Sequence, residues 1–131
     1  MRQRLRHERG ASAVEFAFIA PLLILLVLGI VEFSRAFQVQ GTLAAAAREG
    51  VRSMALQNNQ TTARAMAESV ASSLNPRVTD AQISFSPASC PLTYTPGASI
   101  KLVISYREPF LTGMFGAGVN LTASGVMRCN G

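Results

Sequence analysis

From Phe16 to Val31 sixteen consecutive residues carry no charge. At 1.5 Å per residue a helix of that length spans about 24 Å, short of the roughly 30 Å hydrocarbon core of a bilayer. Extension back to Ala11 gives twenty-one residues and about 31 Å, enough to cross, and puts Glu15 just inside one face. Pro21 removes one backbone hydrogen bond and clashes with the carbonyl of Ala17, so a kink is expected there. Beyond Val31 the pattern turns amphipathic: Phe33, Phe37, Ala44, Ala47, Val51 and Met54 recur at helical steps, with Arg48, Glu49 and Arg52 on other faces. One helix is therefore expected over 11–56, membrane-spanning over about 11–32. Gly41 and Gly50 each weaken it by about 1 kcal/mol relative to alanine, which predicts local bending. The run Leu43-Ala44-Ala45-Ala46-Ala47 suits close packing against a helix or a sheet.

Gln57-Asn58-Asn59-Gln60 breaks the pattern. Thr61 or Thr62 then caps a second helix whose Ala63, Met66, Ala67, Val70, Ala71 and Leu74 form an apolar stripe, ended by Asn75-Pro76. After Pro76 the texture is that of strands. Residues 81–86 alternate with period two, residues 100–106 are β-branched and aromatic, and Val119 to Met127 is a weaker third candidate broken by Gly125. The expected class is α+β, with about three strands in a small antiparallel sheet. Strand order does not follow from connections this long. The loop Phe110-Leu111-Thr112-Gly113-Met114-Phe115-Gly116 has an apolar tip suited either to a partner or membrane surface or to folding back onto the sheet.

Charge changes the picture at one end only. The net charge is +5, but Arg2, Arg4, Arg6 and Arg9 face only Glu8, and residues 11–131 hold eight basic and six acidic side chains, a net of +2. A cluster of this kind retains the N-terminus in the cytoplasm by the positive-inside rule and gives no reason to expect nucleic acid. Cys90 and Cys129 then lie beyond the membrane, where an oxidising compartment favours a disulfide. The triplets beginning at Asn59 and Asn120 match a glycosylation pattern but are frequent by chance.

Catalytic chemistry is not expected. The chain has one histidine, His7 in the leader, one aspartate, Asp80, no phosphate-cradling glycine loop and no metal-ligand spacing. No cofactor, metal or small-molecule substrate is expected.

A basic leader, Gly10, small residues Ala11, Ser12 and Ala13, then Glu15-Phe16 and a long apolar helix resemble the processing site of type IV pilin-like proteins. Pro21 midway through the span and Ala46-Ala47-Arg48-Glu49-Gly50-Val51-Arg52 downstream narrow the resemblance to the TadE family of minor pseudopilins of the tight-adherence (Flp) pilus system. It covers roughly Arg9 to Arg52. The resemblance implies a type IV pilin-like architecture, cleavage by a prepilin peptidase between Gly10 and Ala11, and assembly with other pilin and pseudopilin subunits on a pilus platform. It also implies that Glu15, next to Phe16, sets subunit register by pairing with the new amine of Ala11. The organisation expected is a basic leader at 1–10, the long helix at 11–56 and a small periplasmic α+β domain at 57–131, held in a bacterial inner membrane with the N-terminus cytoplasmic. An uncleaved single-pass scaffold of a secretion apparatus is the alternative.

Overall fold

The computed structural model describes the backbone of residues 4–129 and the side chains from Gly10 to Cys129. The elements are α1 (Arg4–Gln57), α2 (Gln60–Val70), a 3-10 turn (Asp80–Gln82), β1 (Ile83–Ser86), β2 (Ser99–Pro109) and β3 (Gly118–Arg128). The expected class is what the chain adopts: a long apolar N-terminal helix, a second short helix and a three-stranded antiparallel sheet. Two compact units result, one ending at Ser34 and the other covering Arg35–Gly131.

In the first unit α1 begins at Arg4, upstream of the expected start at Ala11, and remains helical through Pro21. Its side chains from Gly10 to Ile19 are exposed.

In the second unit the strands form a meander in the order β1-β2-β3. The register pairs Ile83 with Ile104, Leu102 with Gly125 and Pro109 with Gly118. Alternation in β2 buries Ile100, Leu102, Ile104, Tyr106 and Glu108 and exposes Lys101, Ser105 and Arg107. The buried face receives α1 through Leu43, Ala46, Ala47, Val51 and Met54, and α2 through Ala63 and Ala67. The expected alanine-rich face is thus buried. The stripe itself is shifted: Val39 and Leu43 lead it, whereas Phe33 and Phe37 are exposed.

Two glycines differ from their expected roles. A Cβ on Gly50 would lie 2.7 Å from Leu102 Cδ1 and 3.0 Å from Ala67 Cβ. A Cβ on Gly125 would lie 2.7 Å from the Ala47 carbonyl oxygen and 2.9 Å from Val51 Cγ1. Gly125 therefore does not break β3, which runs unbroken to Arg128; it admits the backbone of α1.

The cap of α2 also differs. Asn59, not a threonine, accepts from the backbone N–H groups of Thr61 and Thr62, as a short acceptor just before the first helical residue satisfies two orphan donors at once. The helix stops at Val70 rather than at Asn75, although Ala71 and Leu74 continue the buried stripe as a turn.

Three polar clamps fix the connections. Asn58 donates from Nδ2 to the Cys90 carbonyl at 3.1 Å and accepts the Cys90 N–H at 2.8 Å. Arg64 donates to the carbonyls of Asp80 and Ile83 and lies 5.2 Å from the centre of the Phe85 ring. Tyr106 donates its hydroxyl to the Pro76 carbonyl at 2.7 Å. Cys90 and Cys129 form the expected disulfide, with Cα atoms 5.6 Å apart, inside the usual range for bridged cysteines.

Candidate processing and assembly segment

Gly10, Ala11, Glu15, Phe16 and Pro21 all lie on α1 and are all exposed. Helical geometry sets Ala11 and Glu15 four residues apart on one face of a single turn. A Cβ added at Gly10 meets nothing within 4 Å, so the fold does not require glycine there. That distinguishes it from Gly50 and Gly125, which packing does require. A glycine inside a helix costs about 1 kcal/mol relative to alanine, and no contact among the described residues offsets this at Gly10. Gly41 shares the property.

The peptide bond after Gly10 is itself helical, since α1 extends upstream to Arg4. A protease acting on an extended strand therefore needs the first turns of α1 to unwind, and a glycine at the bond lowers the cost of unwinding.

The sequence reading missed a charged pair in the second unit. Arg35 Nη2 lies 2.9 Å from Glu108 Oε1, with the Glu108 side chain 3% exposed and that of Arg35 37%. The contact is one of charge rather than of aligned hydrogen bonding, because Glu108 Oε1 has no hydrogen-bond partner. Strict alternation in β2 pointed Glu108 inward, and this was the available signal; its partner lies seventy-three positions earlier, beyond any local pattern. Beside the pair, burial and then the Glu108 carboxylate push the Tyr106 hydroxyl above its ordinary pKa, with Arg35 opposing. The neutral phenol is thus the form the fold favours. Its contribution is complete below the unfolded pKa near 10 and fades as pH rises through the folded value.

Replacing Arg35 with methionine leaves a buried carboxylate without its counter-charge. An unpaired buried group costs about 1 to 3 kcal/mol, and partial exposure of Arg35 places the expected loss toward the lower end. Chemical denaturation of Arg35→Met should show that loss, and adding Glu108→Gln should recover most of it. Additive losses in the double variant would contradict the pairing.

Among the described residues no group of three His, Cys, Asp or Glu is placed to hold a metal ion. A polar cleft of about 230 Å³ lies against Arg35 and Glu108, lined also by Gln38, Thr42, Ser73 and Asn75.

The class of protein comes first from α1, which is long and apolar enough to cross a membrane, with a mean hydropathy of 2.7 over its most apolar stretch and none of that stretch buried. The chain fits a single-pass membrane protein. Residues 10–52 match the family described as TadE-like protein. The similarity to TadE-like proteins covers about a third of the chain, the stretch that holds Gly10, Glu15, Pro21 and the A-A-R-E-G-V-R string. Neither the curated proteins nor the solved structures give a match to the chain.

Proposed function

We propose that this chain is a minor pseudopilin that helps assemble a Tad/Flp pilus and is processed after Gly10 by a prepilin peptidase. The carrying observation is that the TadE-like match begins at Gly10, a glycine for which the described residues give no packing use. The basic leader stays cytoplasmic, the helix crosses the inner membrane once and the second unit, with its disulfide, occupies the periplasm.

Cleavage creates an ammonium on Ala11. Glu15 of a neighbouring subunit is its counter-charge, because a carboxylate at membrane depth is costly without a partner. Phe16 and the apolar residues beyond it, exposed in the single chain, supply the surface on which subunit helices pack, and Pro21 is where α1 bends to accommodate them. The protein acts as a structural subunit and carries no catalytic role.

Sequencing the mature N-terminus tests the processing step: Ala11 supports it, Met1 identifies the uncleaved scaffold, and Phe37 would mark a signal-peptidase cut after Ser34-Arg35-Ala36 and a secreted protein. Glu15→Val should be cleaved normally yet abolish pili by electron microscopy; normal piliation in that variant would sink the register role.

A further inference from the structure

We infer that the β2–β3 hairpin tip is a second membrane contact, seated in the interface of the bilayer that α1 crosses. The inference rests on the single-pass reading. Its carrying observation is a juxtaposition within the second unit: the Arg35–Glu108 ion pair fastens the tip to the point where the chain enters that unit from its apolar segment.

Contacts along the unit give it two distinct ends. Arg35 meets Glu108, Gln40 donates to the Thr122 carbonyl, a Cβ on Gly50 would meet Leu102, and Asn58 clasps Cys90. The chain thus ascends α1 from the tip end of the sheet toward the disulfide end. Strands of eleven residues separate those ends by roughly 35 Å.

At the entry end the tip exposes Met114 to 58% and Phe115 to 43%, and α1 exposes Phe37 to 77%. Arg107, exposed on β2 just before the tip, adds a cation at headgroup level. Aromatic and apolar side chains flanked by arginine are the composition that settles at a membrane interface. The disulfide end also exposes apolar residues, Leu92 to 97% and Tyr94 to 77%, so exposure alone does not choose between the ends. The ion pair does, because it ties the tip to Arg35, three residues past the expected end of the span.

The chain contains no tryptophan, so single replacements give site-specific reporters. Full-length Ile24→Trp, Phe115→Trp and Leu92→Trp are reconstituted in phosphatidylglycerol–phosphatidylethanolamine vesicles, with and without brominated acyl chains. Ile24→Trp should be strongly quenched by brominated lipid. Phe115→Trp should emit to the blue of Leu92→Trp and lose at least about a third of its intensity to bromine, while Leu92→Trp loses little. Failure of Ile24→Trp to quench would remove the span itself and the proposal with it. With Ile24→Trp quenched, an unquenched Phe115→Trp overturns the tip contact, whether its emission is red, as for a solvated loop, or blue, as for a protein partner. Equal quenching of Leu92→Trp also overturns it.

Discussion

Removing the disulfide should cost the second unit about 4 kcal/mol. Cys90 and Cys129 are thirty-nine positions apart, and on the chain-entropy model closing a loop of that size restricts the unfolded chain by about 3.9 kcal/mol at 25 °C. The bridge encloses the whole β2–β3 hairpin and fastens it at its open end, beside the place where Asn58 clasps the Cys90 backbone. Both sulfurs are buried in the core cluster. The Cys90→Ser, Cys129→Ser variant should therefore melt on the order of 20 °C lower, since 1 kcal/mol corresponds to roughly 4 to 8 °C in a domain of this size. Differential scanning calorimetry of the full chain in detergent reads the shift. Reduced and unreduced wild-type protein should also separate on a gel, and native protein with two free thiols, or a double variant that melts as the wild type does, would refute the stabilising role.

The second large effect is expected at Gly125. Valine there would force β carbon and methyl groups into the Ala47 carbonyl, which stands 2.7 Å from where a Cβ would begin. The obstruction is backbone, and no rotamer change relieves it. Overpacking of this kind costs about 1 to 3 kcal/mol and occasionally more, and at a helix–sheet contact without side-chain slack the upper end is expected. Gly50→Ala makes a useful contrast. Its gain in helix propensity of about 1 kcal/mol opposes a clash with Leu102 Cδ1, the far end of a side chain that can turn, and tight approaches to Ala67 Cβ at 3.0 Å and the Ala63 carbonyl oxygen at 3.3 Å, which cannot turn away. Urea unfolding should place Gly125→Val at least about 2 kcal/mol below the wild type, with Gly50→Ala destabilised by less. A Gly125→Val protein as stable as the wild type would show that α1 and β3 can part without cost.

These glycines show which parts of the fold could be read from the chain and which could not. The helix of α1 was legible to within a residue of its C-terminal end, because apolar periodicity and the Gln57–Gln60 break are local signals. All three strands were legible for the same reason, the third as the weaker candidate Val119 to Met127. Gly125 was misread as a strand breaker because local propensity assigns it a cost, whereas its use is a non-local approach to Ala47. Gly50, read only as a weak point of the helix, also has a packing use that local propensity does not show. Asn59 was passed over as a cap because the threonines after it satisfy the same preference. Strand order and the Arg35–Glu108 pair join distant segments, and no periodicity encodes them. The candidate processing segment could be named as a string for the opposite reason: Gly10, Ala11, Glu15, Phe16 and Pro21 follow one another along one helix.

The antiparallel run of α1 beside β2 has a mechanical side. Tension transmitted along α1 enters at Arg35 and acts parallel to the helix–sheet seam, so it loads that seam in shear across Leu43, Ala47, Val51 and Met54 together. A hairpin closed by a covalent ring at its open end does not unzip from that end. The unit therefore resists being pulled lengthwise along α1.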